Sequence, residues 1–464
     1  MSVCSFSSGV KTQIKPRTKE LASFAATLPS EDIPANVTAR ALDLTIDLIG
    51  SAVRAARDAE STPAILATVH RLGLSGDPLC TVFGLDRRYG PAAAALLNGA
   101  FGHSLDFDDT HADSSLHPSA PVVPAALAAA QMTGATGAEL LTAIVIGYEV
   151  CCRLGNALDP TAHYARGFHP TATAGVFGAC AAAGRLLKLD DQAMVSAFGI
   201  AASQASGSLQ FLANGAWNKR YQVGEAAMKG IIAATLASEG FVGADDGIDG
   251  KHGFLSGYSD ASDPELAVAG LGHVWETTRI GVKPYPACRY THAAVDGLLN
   301  LMRTEHISPA AVKSVTVGLH SNGITLVGAP MAKKRRPRNI VQGQFSMPFA
   351  AAVTLLRGRF GWDDYELLGR PEVDAICDRI FVKRDTSLEN APHPFGATLE
   401  VEVGAHRFHR TVADPSGEPA TFPTQDQIAD KFLLLTQPVL GSGGMELLEK
   451  LRKLPSTARI GQRL

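Results

Sequence analysis

The sequence predicts a mainly α-helical protein, with a large all-α domain and a smaller mixed α+β unit. Alanine- and leucine-rich segments with apolar residues at helical spacing fill the chain to about residue 240. Beyond about residue 270, two segments alternate apolar and polar residues, as half-buried strands do. The length of 464 residues exceeds the size at which one hydrophobic core keeps growing, so more than one folding unit is expected.

The helical part begins at residues 15–60, where SEDIPANVTARALDLTIDLIGSAVRAA has an acidic start and a proline near its first turn. Further along, TGAELLTAIVIGYEVCCRLGNAL has threonine near its start and glycine and asparagine near its end, as helix caps require. These patterns predict a helical bundle.

The α+β unit is indicated by AAVKSVTVGLH and GATLEVEVGAHRFHRTV, which we interpret as strands. Helical patterns lie between them in QGQFSMPFAAAVTLLRG and WDDYELLGRPEVDAICDRI, and the tail TQDQIADKFLLLTQPVLGSGGMELLEKLRKL is helical again. We therefore expect an all-α domain over residues 1–268 that residues 411–464 complete, and an α+β domain over residues 269–410.

Composition excludes several classes of protein. The net charge is only -3, and the one basic run, KKRRPR at 333–338, has no interleaved aromatics, so we interpret it as a solvated loop and expect no nucleic-acid partner. The first twenty residues lack the apolar core of a secretory signal, and the other apolar segments are broken by polar residues before they reach spanning length. Seven cysteines without a CxxC pair indicate reduced thiols, the first of them Cys4. We expect a soluble, cytoplasmic protein with no membrane contact.

The stretch GHSLDFDDTHADSSLHPSAPV, residues 102–122, is the strongest candidate for a functional site. It places four acids and three histidines between alanine-rich flanks, where unpaired polar groups are costly to bury. Three further polar clusters occur in HYARGFHPTATAG, GAWNKRYQVGEAAMKG and IGVKPYPACRYTH. Histidines and acids exchange protons near neutral pH, while lysine and arginine hold carboxylates, so the clusters together indicate chemistry beside a carboxylate.

Each cluster also has a structural interpretation. Helix capping and solvation suffice for Asp109 and Asp113, and a proline-stiffened linker suffices for KPYPACRYTH. Tyr148 is a second-tier acid or base, because a tyrosine on an apolar helix is more often part of the core. A metal site is the weaker alternative: His103, Asp106, His111 and His117 offer ligands without a recognised metal spacing. GxGxxG after a strand and Walker-type motifs are absent, so we expect no cofactor and no metal.

These residues resemble the MmgE/PrpD family, which includes 2-methylcitrate dehydratase, cis-aconitate decarboxylase and iminodisuccinate epimerase. The resemblance spans nearly the whole chain. It is carried by NGAFGHSLDFDDTH with LHPSAPVVPA, by YARGFHPTATAGVFG, by NKRYQVGEAAMKG, by KPYPACRYTH and by QGQFSMPFAAAV. It implies the fold of that family, a large all-α domain with an α+β lid domain, together with a homodimer and a cofactor-free pocket between the two domains.

The resemblance to cis-aconitate decarboxylases also implies site residues. Those that match pocket positions are Asp106, Thr110, His117, His169, Lys219 and Lys283. Of these we take Asp106, His117, His169, Lys219 and Lys283 as catalytic, and as substrate-binding residues we expect Thr110, Tyr285, Cys288, Arg289 and His292. Cys288 stands where the vertebrate-type decarboxylases have a histidine, whereas the fungal ones resemble this chain in carrying cysteine near this point.

The function predicted is that of a cofactor-independent lyase acting on a small di- or tricarboxylate. The lysines, with Arg289, would hold carboxylates, while His117 and His169 would move protons and Asp106 would orient or tune one of them. Water loss from a 2-methylcitrate-like acid is placed first. Decarboxylation of cis-aconitate, epimerisation of a dicarboxylate, and a non-catalytic carboxylate-binding protein remain alternatives.

Overall fold

The computed structural model describes residues 16–389, 391 and 394–461. Cys4 and most of the segment examined for a secretory signal lie outside the described residues. The α-helices run over α1 Arg17–Thr27, α2 Ala35–Asp58, α3 Thr62–Arg71, α4 Pro91–Gly102, α5 Ser119–Thr133, α6 Gly137–Ala157, α7 Pro160–Ala165, α8 Pro170–Thr173, α9 Gly175–Leu186, α10 Asp191–Gln204, α11 Asn218–Ser238, α12 Phe254–Tyr258, α13 His292–Thr304, α14 Ser321–Gly323, α15 Met331–Lys334, α16 Ile340–Gln344, α17 Met347–Arg357, α18 Pro371–Cys377, α19 Gln425–Leu440 and α20 Gly443–Arg452. The strands are β1 Thr110–His111, β2 Ile280–Gly281, β3 Val312–Leu319, β4 Ile380–Arg384, β5 Ala397–Val403 and β6 His406–Val412. The protein is mainly α-helical, as predicted.

Helices α4, α5, α6, α9 and α11 pack against one another to form the core of the helical part. Their small residues allow the backbones to approach closely, since a Cβ built on Gly224 of α11 would lie 2.3 Å from the Leu96 carbonyl oxygen of α4. The predicted N-terminal cap of α6 is confirmed: Thr136 accepts from the Glu139 amide, and the Glu139 carboxylate accepts from the Thr136 amide. The predicted C-terminal cap is wrong, because Gly155 and Asn156 lie within the helix and Leu158 follows its last residue. The C-terminal helix α19 packs along α2, so the tail returns to the N-terminal helices.

A four-stranded sheet, in the order β4-β3-β5-β6, occupies the later part of the chain. Strand β3 pairs parallel to β4 and antiparallel to β5, and β5 forms a hairpin with β6. The alternating segments therefore form strands, as the sequence predicted. Strand β4 was missed, because its sequence follows the helical pattern of α18 without a break and three of its five residues are exposed. Helices α13 and α17 cover one face of this sheet.

A second, two-stranded pairing joins distant parts of the chain. Strand β1 pairs antiparallel to β2, with Thr110 opposite Gly281 and His111 opposite Ile280. The acid- and histidine-rich segment after α4 is thereby held against the segment that carries Lys283, two residues beyond β2. Within the part of the chain that the structure describes, no helix combines the length and the apolar character needed to cross a bilayer.

Candidate active site

A cavity lies where the loop after α4, helix α11 and the segment after β2 meet. About 60 Å³ of it is accessible to the centre of a water molecule, which is room for a small molecule. Eight of the ten residues expected at the site line it: Asp106, Thr110, His117, His169, Lys219, Lys283, Cys288 and Arg289. Residues far apart in sequence are therefore brought to one place.

Asp106 holds the two lysines of the cavity side by side. Its Oδ1 atom accepts a hydrogen bond from Lys219 Nζ and lies 3.1 Å from Lys283 Nζ, which also donates to the Asp106 carbonyl oxygen at 3.2 Å. Burial by itself would raise the pKa of the Asp106 carboxyl, but the two ammonium groups outweigh burial and hold that pKa well below its usual value. Two ammonium groups and one carboxylate leave a formal charge of +1 to face an anion.

His117 presents an unprotonated nitrogen to the cavity. Its Nδ1 atom lies 2.6 Å from the Asp109 carbonyl oxygen, which can only accept, so Nδ1 carries the hydrogen. The Thr110 hydroxyl is the next neighbour of Nδ1, at 3.3 Å. Burial, and then the charge of Lys283, lower the pKa of His117 well below its ordinary value, so the ring is neutral with its lone pair on Nε2.

His169 has the opposite arrangement of its ring hydrogen. The Ser208 amide donates to Gln222 Oε1 at 3.1 Å, so the other side-chain atom of Gln222 is the NH₂ group, and it lies 2.8 Å from His169 Nδ1. His169 Nδ1 must therefore accept, and the hydrogen is on Nε2. Burial, then His103 and Lys219, lower the pKa of His169 well below its usual value.

Arg289 and Cys288 complete the wall on the side of the sheet-bearing part. Arg289 donates to Glu418, to the Ser416 carbonyl oxygen at 2.9 Å and to His292 Nδ1 at 2.8 Å, so its guanidinium is fixed and its charge is matched by a carboxylate. Burial raises the pKa of the Cys288 thiol to about 11, which leaves it protonated at neutral pH.

Tyr285 and His292 are not brought to the cavity wall. The Tyr285 hydroxyl donates to Asp296 at 2.6 Å, and His292 is fully buried, with Nε2 donating to the Ala287 carbonyl oxygen at 3.1 Å. Tyr285 turns toward α13, and His292 accepts a hydrogen bond from Arg289, so substrate binding by either residue stays a prediction.

Other polar residues singled out in the sequence have structural partners. The Tyr148 hydroxyl is 2.6 Å from Ser119 Oγ, which also donates to Asp109, so both belong to a buried network outside the cavity. His163 bonds the Tyr258 carbonyl oxygen and the Thr173 hydroxyl.

The four residues weighed as metal ligands have separate partners. His103 Nδ1 lies 2.6 Å from Asp108, and His111 lies between Ser114 at 2.7 Å and Glu276 at 3.0 Å. His117 and Asp106 are engaged as described above. His111, Asp113 and Glu276 do come together, but Arg279 lies 3.3 Å from Asp113 and 3.7 Å from Glu276 and supplies the positive charge there.

The apolar half of the cavity was missed by sequence reasoning. It is formed by Leu209, Phe211, Leu212, Leu326, Phe345 and Phe395, with Tyr164 and Tyr290 at its edge. Apolar residues carry no signal that separates a cavity wall from the core. Gln222 was missed as well, although its spacing of three from Lys219 places both on one face of α11.

Fold and site together define a mainly α-helical protein with paired ammonium groups and two neutral imidazoles around a small cavity, an arrangement suited to acid–base chemistry on an anion. Two models of one known family match this chain. The MmgE/PrpD N-terminal domain model matches residues 19–267, and the MmgE/PrpD C-terminal domain model matches residues 285–452. The chain belongs to the MmgE/PrpD family, which confirms the resemblance seen in its motifs.

Its curated relatives include decarboxylases from fungi and vertebrates. A cis-aconitate decarboxylase-like protein of Aspergillus oryzae is 30% identical over 454 residues, which cover 93% of each chain. A cis-aconitate decarboxylase of Aspergillus terreus is 31% identical over 94% of this chain and 92% of its own. The human cis-aconitate decarboxylase is 33% identical over 65% of this chain and 63% of its own.

Proposed function

We propose that this protein is a lyase that decarboxylates a small unsaturated tricarboxylate of the cis-aconitate type. The observation that carries the proposal is the pair of ammonium groups that Asp106 holds beside the neutral His117. Relatives that align over more than nine-tenths of the chain and are named cis-aconitate decarboxylases support it. It places decarboxylation ahead of the water loss that the sequence analysis put first.

Decarboxylation requires groups that stabilise the negative charge of the substrate and a group that supplies one proton. When the carboxylate on the CH₂ arm of such an acid leaves as CO₂, the electron pair of the broken bond shifts through the double bond. It arrives on a carbon next to a second carboxylate, which spreads the charge over its oxygens. A proton added to that carbon completes the product. Lys219 and Lys283 lie where they would hold the charged carboxylate, since fixed cations stabilise such charge without reorganisation.

His117 is the group proposed to carry the proton. Its Nδ1–H donates to a carbonyl oxygen, so a second proton goes to Nε2, which bonds none of the described residues. A bound tricarboxylate places negative charge beside the ring and raises its pKa, so substrate binding itself favours the protonated form that the step needs. The proton is then replaced from solvent.

The apolar wall supports loss of CO₂ in particular. A carboxylate placed against Phe211, Leu212 and Phe395 loses hydration, and CO₂, which is uncharged, does not need it. Dehydration remains the second candidate, because one cavity presents both a lone pair on His117 and an N–H on His169, as removal of a proton beside a hydroxyl requires.

The test follows cis-aconitate, 2-methylcitrate and citrate by proton NMR in deuterated water with the purified protein. We expect CO₂ release from cis-aconitate and one deuterium in the product. Lys219→Met should lower kcat/KM by about 10²-fold or more. Lys229→Met, on the same helix but paired with Glu225, should leave it unchanged. Water loss from 2-methylcitrate alone, seen as its methyl doublet becoming an allylic methyl singlet, would instead establish a dehydratase, and inertness toward all three acids would overturn the proposal.

A further inference from the structure

Gln222 is buried on α11 and joins His169 to the main chain of a neighbouring segment. Residues 167–169 and 207–209 pair antiparallel: the His169 amide donates to the Gly207 carbonyl oxygen at 3.1 Å, and the Leu209 amide donates to the Gly167 carbonyl oxygen at 2.9 Å. The Ser208 amide, between these two bonds, points instead at Gln222. Backbone pairing thus determines which end of the Gln222 amide faces His169.

Each hydrogen bond in this series can have only one donor. A main-chain N–H can only donate, so the Gln222 atom 3.1 Å from it is the oxygen. The Gln222 NH₂ group can only donate, so His169 Nδ1, 2.8 Å away, accepts. Among the described residues nothing bonds His169 Nε2, and the ring lines the cavity, so the Nε2 hydrogen is available to a bound molecule.

We propose that Gln222 is a positioning residue that keeps His169 in the form with its hydrogen on Nε2, so that His169 acts as a neutral hydrogen-bond donor to the substrate and not as a proton carrier. Adding a second proton to His169 would require Nδ1 to turn from acceptor to donor against the NH₂ group of Gln222. The roles that the sequence analysis gave jointly to two histidines are thereby separated: His117 carries the proton, and His169 donates to the oxygen on which charge develops. This assignment rests on the proposed decarboxylation.

The direct test reads the ring hydrogen itself. Histidine ¹⁵N–¹H correlation spectra of the full-length protein should show His169 with a hydrogen on Nε2 and an unprotonated Nδ1 in the absence of substrate, with His169→Asn used to assign its signals. In Gln222→Glu the carboxylate can only accept, so the hydrogen should appear on Nδ1. A wild-type His169 with its hydrogen on Nδ1, or spectra unchanged in Gln222→Glu, would overturn the inference.

Activity gives a second, independent readout. Gln222→Glu should lower kcat by about 10²-fold with a smaller change in KM, because the lost donor acts chiefly on developing charge. It should also add an ionisation to the pH profile of kcat. Gln222→Leu, which places no charge there and leaves Nδ1 unpaired, should lower kcat without that new ionisation. Gln210→Glu is the matched control, since Gln210 is exposed on the adjoining turn, and it should behave as wild type.

The outcomes separate the two proposals. Wild-type kcat and pH profile in both Gln222 variants would overturn the role of Gln222 while decarboxylation stands. The expected ring hydrogen in a protein that turns over none of the three acids would instead overturn the proposed function, and with it the catalytic part of this inference.

Discussion

At the scale of single residues, Asp106 organises the site. Its backbone has φ of +52°, a left-handed conformation that asparagine and aspartate tolerate better than other residues with a side chain. That conformation turns a buried carboxylate toward two lysines from distant parts of the chain. Most of what the site can do electrostatically depends on this one side chain, because without it two like charges would face each other.

Asp106→Asn isolates that charge, since asparagine has the same shape and tolerates the same backbone. We expect the free energy of unfolding to fall by about 3–5 kcal/mol, as when one partner of a buried ion pair is removed, and kcat to fall with it. Urea unfolding and steady-state kinetics measure the two effects. Asp159→Asn is the control, since Asp159 has φ of +54° but caps α7, a task that asparagine performs equally well. Equal stability of the two variants would contradict this account of Asp106.

At the scale of elements, the site depends on how closely α4 and α11 cross. Helix α4 leads into the loop with Asp106, and α11 carries Lys219 and Gln222. The helices touch at glycines: a Cβ on Gly99 would lie 2.9 Å from the Gly224 Cα. Because neither glycine has a side chain, the two helices approach closely enough for Lys219 to reach Asp106.

Gly224→Ala should push the two helices apart, because the added methyl group meets backbone atoms that cannot rotate away. We expect a loss of about 1–3 kcal/mol or more in the free energy of unfolding, together with lower kcat/KM, measured by urea unfolding and kinetics. Gly257→Ala, in the short helix α12, meets no atom within 4 Å and should be neutral. Wild-type behaviour of Gly224→Ala would show that this crossing does not control the site.

At the scale of the whole molecule, buried histidines link stability to pH. Burial is the largest of the causes that lower the pKa of His103, His117, His169 and His292 well below the ordinary value of 6.5. Below about pH 6.5 the unfolded chain takes up protons that the folded protein cannot, so stability falls as pH falls through this range and is fully present above it. Each such histidine contributes up to about 1.4 kcal/mol per pH unit.

His292→Gln tests this sign, because it removes one of these groups outside the cavity wall. Its free energy of unfolding should be lower than that of the wild type at pH 7.5, and it should change less between pH 7.5 and 5.5. Carboxyls whose pKa is raised, such as Asp43 with a pKa of about 6, make stability fall as the pH rises. These carboxyls are present in both the wild type and His292→Gln, so their effect cancels when the two proteins are compared. Urea unfolding at three pH values measures the free energy of unfolding of each protein. If that free energy changed with pH by the same amount in both proteins, His292 would not be one of the groups that link stability to pH.

The amino-acid sequence determined the class of fold, the helical and alternating segments, the family and eight of the cavity residues, because those depend on local periodicity and on motifs such as GHSLDFDDTH. It missed β4, whose mostly exposed residues follow α18 without a pattern of their own. Only the tertiary structure decided that Tyr285 and His292 turn away from the cavity, and that Gln222 reaches His169. The tertiary structure likewise decided which ring nitrogen of His117 and of His169 carries the hydrogen. The position of a ring hydrogen depends on which donor or acceptor from a distant segment lies against the ring.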